Sequence, residues 1–409
     1  MKEKQRMQQQ SHVSIIGAGL GGLCLAQGLR RAGIAFDVYE RDPAAASRSQ
    51  GYRIRIDADG QAALARCLSP ELYELFRRSC GGSSGSVRFV GSDLEPVPGR
   101  PARSWRASDS GNAPSRPHDL SANRQTLREI LLCGLEGRVH FGRAFRRFEA
   151  LDDNDVRIVF EDGREARSTL LVGADGANSA VRRQLAPGAE PVDTGAACIY
   201  GKTIATAALR ESLGADLWAG TSVVFADGFA VILDPMLFQQ PLPAMAATLA
   251  PACSLEPVDD YLYWAFIGPR ARLGLGPGQL PDQARLPALV EAVVRQWHPR
   301  LRTLFAQGDI RTLAVLPVRS SPPEIAAWSP GPVTLLGDAV HAMSPAGGVG
   351  ANTALRDAAA LASAMAGERS SHTAVSAYET AMRAWARAAI TASNDGARSL
   401  FDTDTPDGN

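Results

Sequence analysis

The stretch that decides the fold is residues 13–42, VSIIGAGLGGLCLAQGLRRAGIAFDVYERD. It opens with a short β-branched run of the kind found in a strand buried on both faces. Apolar residues from Leu20 onward share one helical face, and a second apolar run, residues 34–38, ends in Glu40. The pattern predicts a strand, a turn, a helix and a second strand.

The turn between the first strand and the helix reads Gly17-x-Gly19-x-x-Gly22. In such a turn the first glycine permits the tight bend, the second lets the backbone approach a pyrophosphate, and the third lets helix and strand pack closely. The helix opens at Leu20 and points its free N–H groups and positive dipole end at phosphates. Glu40 stands near the ~20-residue offset of a ribose-binding acid. These features predict a dinucleotide site; the alternative is a turn without a ligand.

The identity of the dinucleotide stays open from this stretch alone. A basic residue often binds the 2′-phosphate at an NADP site, and Arg41 can be interpreted in that way. The residues that bear on this choice lie later in the chain.

Composition restricts the class of protein. The 409 residues suffice for two or three domains, and 45% hydrophobic and 21% charged residues are ordinary for a globular chain. Basic and acidic residues balance at 43 each, so no strong field favours nucleic acid. The six cysteines form no C-x-x-C, which argues against a metal site. The sequence shows neither an apolar signal segment nor an apolar run long enough to cross a membrane, so we expect a cytoplasmic protein. We expect it to be a monomer or a homodimer.

Two further segments have features of a cofactor site. Residues 121–135 predict a helix that Ser121 or Asn123 caps. Arg124 then lies in the first turn, where a cation opposes the helix dipole; we expect it to meet the cofactor pyrophosphate, the alternative being a solvated arginine. In the turn after a strand beginning at residue 170, Asp175 either braces the loop or lies near the cofactor.

From about residue 193 the sequence takes on β character, with a hairpin predicted at Asp227-Gly228. Tyr200 and Lys202 alternate and therefore share one face of a strand. Lys202 is one of three lysines, and the other two lie within the first ten residues. Lysine can shift its pKa on burial in a way that arginine cannot. We hypothesise that Tyr200 and Lys202 line a substrate pocket; the alternative is an exposed sheet face.

The last informative segment is residues 333–365, VTLLGDAVHAMSPAGGVGANTALRDAAALASAM. A buried strand ends at Gly337-Asp338, where Asp338 is well placed to accept hydrogen bonds from a polyol chain. A glycine-rich loop exposes backbone N–H groups, and a helix beginning near Asn352 favours negative charge at its start. That is the environment which a reduced, anionic isoalloxazine needs. His341 is expected to bond to the backbone, the alternative being a catalytic acid.

These stretches together resemble the class A flavin-dependent aromatic hydroxylases, the para-hydroxybenzoate hydroxylase fold. The likeness rests on the Gly17-x-Gly19-x-x-Gly22 turn with Glu40-Arg41, the Gly-Ala-Asp-Gly turn at 173–176, and Gly337-Asp338 with the glycines after it. Asn123-Arg124 with Leu127, and the small-residue helix after Asn352, look most like the tetracycline-inactivating and salicylate-type monooxygenases. Residues 193–320 match only in β character.

The resemblance implies an α/β fold: a Rossmann-like FAD-binding domain, an inserted, mainly β substrate domain and a C-terminal helix. The FAD-binding domain would comprise residues 11–78, 119–192 and 312–368, and the substrate domain residues 79–118 and 193–311. The C-terminal helix would be residues 369–402, between flexible tails at 1–10 and 403–409.

The resemblance also implies roles for single residues. Glu40 would hold the adenosine ribose, Asp338 the ribityl chain, and Asp175 would lie near the cofactor and the approach of the pyridine nucleotide. The other implied cofactor-binding residues are Gly17, Gly19, Leu20, Gly22, Arg41, Arg48, Arg53, Arg124, Gly348, Gly350, Ala351 and Asn352.

The implied chemistry uses FAD, O2 and NADPH or NADH as a transient co-substrate. Hydride reduces FAD, oxygen adds at the flavin C4a, and the hydroperoxide hydroxylates an aromatic or polyketide-like small molecule. The family has no separate nicotinamide domain, which fits the single GxGxxG. Neither a nucleophile triad nor a metal cluster is needed, and the sequence presents neither.

Three alternatives remain. A flavin halogenase typically carries W-x-W-x-I-P, and none of the six tryptophans stands in that pattern. A flavin dehydrogenase or reductase would not use oxygen, and a non-catalytic flavin-binding redox protein would show no turnover. Substrate-stimulated NAD(P)H oxidation with matching oxygen uptake separates them.

Overall fold

The computed structural model describes residues 12–45, 47, 52–82, 87–98, 117–151, 155–367 and 371–401. Its helices, α1 to α12 in chain order, are Leu20–Ala32, Ala58–Cys67, Pro70–Ser79, Arg124–Leu132, Ala180–Leu185, Ala207–Leu213, Leu242–Leu249, Leu286–Val294, Pro299–Ala306, Asp338–His341, Gly350–Gly367 and Ser371–Phe401. Its strands, β1 to β16, are His12–Ile16, Ala35–Glu40, Ile54–Ile56, Val87–Gly91, Leu120–Ala122, Val139–Phe141, Phe145–Ala150, Val156–Phe160, Glu165–Ser168, Leu170–Gly173, Val192–Ile204, Thr221–Ala226, Phe229–Met236, Tyr261–Pro269, Ala314–Ser320 and Val333–Leu335.

A five-stranded parallel sheet carries the amino-terminal motif. Its order is β16-β10-β1-β2-β6, and every neighbouring pair is parallel. Ile15, Val38 and Leu171 in its central strands are fully buried. They share one core with side chains of helices such as α1 and with side chains of the antiparallel β7-β8-β9 sheet. The strand, turn, helix and strand predicted for residues 13–42 are confirmed, and so is the Rossmann-like α/β fold.

A six-stranded sheet, in the order β15-β11-β14-β13-β12-β4, forms the second layer. Its β12–β13 hairpin turns at Asp227 and Gly228, whose φ angles of 53° and 75° are both left-handed. A two-residue turn of this hand matches the twist of the flanking strands, so the predicted hairpin is confirmed. The edge strand β15 pairs with the distant strand β11 and so belongs to this sheet. It lies beyond residue 311, where the substrate domain was predicted to end.

Alternating residues of this sheet face two environments. On the helical face, which we define by Ile199, Trp264 and Phe266, the side chains pack against α6, α8 and α9. On the tyrosine face, which we define by Tyr200, Lys202, Asp234 and Tyr263, the sheet faces Tyr52, which lies just before β3. The short β3–β5 ribbon therefore lies between the two layers.

Two more segments complete the architecture. Helix α7, in the connection between β13 and β14, packs on α3 and buries Leu242 and Met245 in the core of the first layer. The predicted final helix is confirmed as α12, which packs along α11. Across the described ranges, no helix has both the length and the apolar character that a membrane crossing requires.

Candidate functional site

Three loops that are distant in the sequence meet at the carboxyl edge of the parallel sheet. Since β1, β10 and β16 are parallel neighbours, the loops after Ile16, Gly173 and Leu335 leave from one edge. The backbone joins them: Ala174 N donates to Ile16 O at 2.8 Å, and Leu336 N donates to Gly173 O at 3.0 Å. Open α/β sheets bind their ligands in the crevice outside this edge.

Gly17 and Gly22 are required by close packing. Gly17 has a φ of +110°, and a Cβ added there would lie 2.4 Å from the carbonyl oxygen of Ala174. A Cβ at Gly22 would lie 2.1 Å from the carbonyl oxygen of Gly17. Any side chain at either position would separate the glycine turn from the 173–176 turn or from α1.

The amino-terminus of α1 opens onto free space. Gly19 is its N-cap, with extended backbone, and no heavy atom of the described residues lies within 4 Å of a Cβ built there. Within those residues no side chain caps the helix, and its first turn contains no acid. The first N–H groups, from Leu20 onward, are therefore available to an anion.

Glu40 fixes the glycine turn to the end of β2. Its Oε2 accepts a hydrogen bond from Ala18 N at 2.8 Å, and its Oε1 accepts one from Asp42 N at 3.0 Å. The side chain is buried. Ribose binding by Glu40 stays a prediction; the structure adds a bracing function that the sequence analysis did not foresee.

Asp175 caps the short helix α5. Its Oδ1 accepts from Ser179 Oγ at 2.5 Å and its Oδ2 accepts from Ala180 N at 2.7 Å. Both oxygens therefore face the positive end of a helix. These contacts agree with the alternative in which Asp175 braces its loop, and a contact with the pyridine nucleotide stays a prediction.

The late Gly-Asp loop lies beside the start of α11. Gly337, with a φ of +61°, connects β16 to α10, and the exposed Asp338 is the first residue of α10. A Cβ built at Gly350, where α11 begins, would lie 3.9 Å from Asp338 Oδ1. A carboxylate that can accept hydrogen bonds from hydroxyl groups thus lies close to a helix amino-terminus with free N–H groups, next to Ala351.

Asn352 holds the glycine-rich loop in position. Its Nδ2 donates to Arg55 O at 3.0 Å and to Gly348 O at 3.1 Å, and its Oδ1 accepts from Asp57 N at 3.1 Å. The side chain is therefore engaged with the backbone of two segments, the end of β3 and the glycine-rich loop. A direct bond from this side chain to a flavin is not supported by these contacts, and the backbone of Gly350 is left as the predicted neighbour of the ring.

Arg55 and Asp119 were missed by the sequence analysis. The buried Arg55 pairs with Asp119 at 2.9 Å and also donates to Gly347 O at 3.3 Å. It therefore connects the β3 segment to the glycine-rich loop. The alternation GYRIRI, residues 51–56, contained a signal, since it carries two arginines, and only Arg53 was singled out.

Arg124 begins α4, directly after the cap. Asn123 Oδ1 accepts from Thr126 N at 3.0 Å, so Asn123 is the cap, not Ser121. Arg124 Nε is buried and has no hydrogen-bond partner among the described residues. A buried donor of this kind is costly unless a ligand satisfies it. Of the other predicted arginines, Arg41 is exposed and Arg48 lies outside the described residues.

Arg53 is held by the protein itself. It forms an ion pair with Asp234 and donates to Ser121 Oγ at 3.1 Å. Asp234 is fully buried and also accepts from Ser121 Oγ at 2.7 Å and Thr221 Oγ1 at 3.0 Å. The predicted place of Arg53 along FAD thus gains a competing role, which is to fasten β3 to β13.

His341 forms a buried pair with Asp357, where the sequence predicted a backbone partner. The Nε2–Oδ2 distance is 2.6 Å, and neither side chain is exposed. Asp357 also accepts from Gly337 N and Trp385 Nε1, each at 2.8 Å. Burial lowers the pKa of His341, but the Asp357 charge and hydrogen bond raise it overall. The pair therefore supports the Gly-Asp loop from beneath.

Tyr200 and Lys202 lie together on the tyrosine face. The ring of Tyr200 meets that of Tyr52 edge-on at 6.2 Å. Lys202 Nζ lies 5.1 Å from the ring centroid of Tyr52 and 5.1 Å from that of Tyr261. Burial raises the pKa of Tyr200 and lowers the pKa of Lys202. The two residues therefore share a face that is covered, not exposed.

Comparisons with known proteins identify the family. The NAD(P)-binding Rossmann-like domain family matches residues 15–79, and the FAD binding domain family matches residues 274–393. A Photorhabdus luminescens protein of known structure, assigned as an FAD-containing monooxygenase, is 31% identical, with a TM-score of 0.78 over 97% of this chain and 100% of that chain. The chain belongs to the FAD-dependent monooxygenases.

Two curated relatives of this chain are longer than the chain itself. The dual O-methyltransferase/FAD-dependent monooxygenase elcB of Phaeosphaeria nodorum is 38% identical over 88% of this chain and 41% of its own length. CTB3 of Cercospora beticola, also a dual enzyme, is 35% identical over 95% of this chain and 46% of its own length. The chain spans less than half the length of these two relatives. Klebsiella pneumoniae HpxO, complexed with FAD and uric acid, shares the fold, with a TM-score of 0.74 and 22% identity over 97% of this chain and 90% of that chain.

FAD is the cofactor of this family, and the described residues fit it. The two segments that the families match touch each other: a Cβ built at Gly21 would lie 2.8 Å from Leu336 Cδ1 and 3.3 Å from Ala354 Cβ. The amino-termini of α1 and α11 thus lie on one side of the sheet. An elongated, anionic cofactor would occupy the free space at Gly19 and would accept a hydrogen bond from the unpaired Nε of Arg124.

Proposed function

We propose that this protein uses FAD, NAD(P)H and O2 to hydroxylate an aromatic or polyketide-like small molecule. Two observations carry the proposal: α1 contacts α11, and Asn352 of α11 donates to the backbone of Arg55 in β3, the strand that follows Tyr52 of the tyrosine face. They support one binding site for a long cofactor, with an aromatic-lined surface next to the cofactor's reactive end. Such cofactors supply the redox chemistry, and the protein supplies binding, orientation and electrostatics.

Different residues of the chain bind different parts of the cofactor. The pyrophosphate lies at the amino-terminus of α1, where Gly19 leaves room and the helix dipole favours negative charge. Arg124 donates to it through the Nε atom that lacks a protein partner. Glu40 binds the adenosine ribose and Asp338 the ribityl hydroxyls. The start of α11 at Gly350 stabilises negative charge on the isoalloxazine.

NAD(P)H binds transiently, without a Rossmann turn of its own. The NAD(P)-binding Rossmann-like family matches residues 15–79, the segment that holds Gly17 to Gly22. Because this turn contacts the segment of the FAD binding domain family, residues 274–393, we assign it to FAD.

The relatives' names support a phenolic product. In elcB and CTB3 a monooxygenase is joined to an O-methyltransferase. An O-methyltransferase needs an oxygen nucleophile, and hydroxylation of an aromatic ring creates one. We therefore expect the product of this chain to be a substrate for O-methylation.

Cofactor binding is tested with Gly19→Ala. Nothing lies within 4 Å of the new Cβ, so the fold should tolerate the change. The methyl group would occupy the space of the pyrophosphate, and FAD affinity should fall at least about tenfold, the equivalent of ~1.4 kcal/mol. Gly331→Ala is the matched control, because its Cβ also meets nothing within 4 Å. Equal FAD affinity in both variants would contradict the assignment.

Turnover is tested on the FAD-loaded protein with a panel of phenolic and polycyclic compounds. The expected result is that some compounds accelerate NADPH or NADH oxidation and that oxygen uptake equals hydroxylated product. Accelerated oxidation without oxygen incorporation would favour a dehydrogenase. Bound FAD without any substrate-dependent turnover would favour a non-catalytic redox protein, and a chlorinated product in the presence of chloride would indicate a halogenase.

A further inference from the structure

Lys202 is held in place by two aromatic rings. Its Nζ atom lies 5.1 Å from the ring centroids of both Tyr52 and Tyr261. Tyr261 is itself fixed, because its hydroxyl accepts from Asn123 Nδ2 at 2.9 Å and donates to Tyr52 O at 2.5 Å. Ring faces attract an ammonium group without consuming its N–H donors. The ammonium is therefore positioned and still able to donate.

The charges around Lys202 are unevenly matched. Lys202, Tyr263 and Asp234 stand opposite one another on three adjacent strands. At one end of this row, the charge of Asp234 is balanced by Arg53. At the other end, Lys202 forms no ion pair with any carboxylate of the described residues.

Three charged groups act on this region from other elements. Asp259 and Asp309 influence Lys202 from a distance, and Asp309 is already paired with Arg311 at 2.7 Å. Arg124 faces Tyr200 from α4, and we assign it to the cofactor. Within the part of the chain that the structure describes, Lys202 thus remains available to a second, separate anion on the tyrosine face.

We propose that Lys202 is a specificity-determining residue that anchors an anionic oxygen of the substrate. The substrate class is an aromatic compound carrying a carboxylate, or a phenol or enol that is ionised at neutral pH. Its ring lies against Tyr52 and Tyr200, and its anionic oxygen accepts a charge-assisted hydrogen bond from Nζ. This inference rests on the proposed function and adds the charge of the substrate.

Two features of the residue support this assignment. Burial lowers the pKa of Lys202, because a half-buried ammonium without a counter-ion is poorly solvated, and a bound anion would relieve that cost. In addition, only three of the 43 basic residues of the chain are lysines. The use of lysine at this inner position, where arginine is the usual basic residue of the chain, is therefore unusual.

The test measures binding by isothermal titration calorimetry on the FAD-loaded protein, without turnover. The probes are 2,4-dihydroxybenzoate against 2,4-dihydroxybenzamide for a carboxylate, and 2,4-dinitrophenolate against 2,4-dinitroanisole for an ionised phenol. At least one anion should bind about tenfold or more tightly than its neutral partner, the equivalent of one charge-assisted hydrogen bond. The pair that shows the preference identifies the source of the anionic oxygen.

Lys202→Met should abolish this preference and leave the affinity for the neutral probe unchanged, whereas Lys202→Arg should retain part of it. Arg295→Met removes one exposed positive charge elsewhere and should change nothing. The proposal is overturned if the wild type binds neither anion better than its neutral partner, or if Lys202→Met keeps the preference. Loss of FAD binding in the wild type would instead refute the proposed function, which the flavin spectrum of the same sample reports.

Discussion

The two faces of the six-stranded sheet use the same strands for opposite purposes. On β14, Trp264 and Phe266 turn toward the helices, where the Trp264 and Phe305 ring centroids lie 5.4 Å apart. Tyr263, the residue before Trp264 in the sequence, turns to the other face and stands opposite Lys202. Strand periodicity is identical for both faces, so it cannot tell a core from a binding surface.

Side-chain chemistry makes the distinction. The helical face satisfies its few polar atoms internally: Trp264 Nε1 donates to Thr203 Oγ1 at 3.1 Å, and Thr203 Oγ1 donates to Leu304 O at 3.0 Å. The tyrosine face combines rings with polar tips and a cation. An apolar body with a polar tip suits surfaces that bind ligands. Substitutions on the two faces should therefore differ in their effects on the free energy of unfolding and on its dependence on charge.

The largest effect is expected for Trp264→Ala. The side chain is 1% exposed and central to the helical face, so its removal should leave a cavity and lower the free energy of unfolding by about 4 kcal/mol. Urea denaturation followed by circular dichroism measures the loss. Tyr263→Ala, one residue away on the half-buried opposite face, should cost clearly less. Equal losses would mean that the two faces do not differ as described.

Arg53→Met should follow, with a loss of about 3 kcal/mol, because it leaves the fully buried Asp234 carboxylate without its cation. The same denaturation assay applies. Adding Asp234→Leu in the double variant should recover most of the loss, since the unpaired charge is then removed as well. A double variant as unstable as Arg53→Met alone would argue against the buried pair as the cause.

Tyr261→Phe should cost about 1 to 2 kcal/mol, because it removes the hydroxyl that joins Asn123 to the backbone of Tyr52. Tyr263→Phe is the matched control: its hydroxyl makes no hydrogen bond with the described residues, so its effect should stay within about 0.5 kcal/mol. Thermal unfolding of both variants measures the difference. A cost at Tyr263 equal to that at Tyr261 would contradict the contrast.

The smallest effect is a pH dependence at Lys202. Burial lowers its pKa in the folded chain below the ordinary 10.5. Below the folded-state pKa both states carry the charge, and the burial penalty is complete. As pH rises from that value toward 10.5, the folded chain loses its proton first, and the penalty disappears. Wild type should therefore gain stability relative to Lys202→Met as the pH rises toward 10.5. A stability difference that does not change with pH would exclude the burial penalty.

The sequence predicted those features whose conformation is determined by neighbouring residues along the chain. The turn at Gly17 and Gly22 and the hairpin at Asp227-Gly228 follow from backbone sterics, which adjacent residues record. The side-chain partners were not predictable. Nothing near Asp175 in the sequence distinguishes a helix-capping acid from a cofactor ligand. Likewise, nothing near Asn352 indicates its hydrogen bonds to β3 and to the residue that follows it.

The sequence by itself determined the parallel sheet, the glycine turn with Glu40, the late Gly-Asp loop and the family to which they belong. Only the tertiary structure decided that Arg53 pairs with Asp234, that His341 pairs with Asp357, and that Lys202 lies between two tyrosine rings. The reason is the range of the forces involved. Backbone conformation is set by neighbours along the chain, whereas the contact of Tyr52 with Tyr261 joins residues 209 positions apart and depends on how two sheets pack.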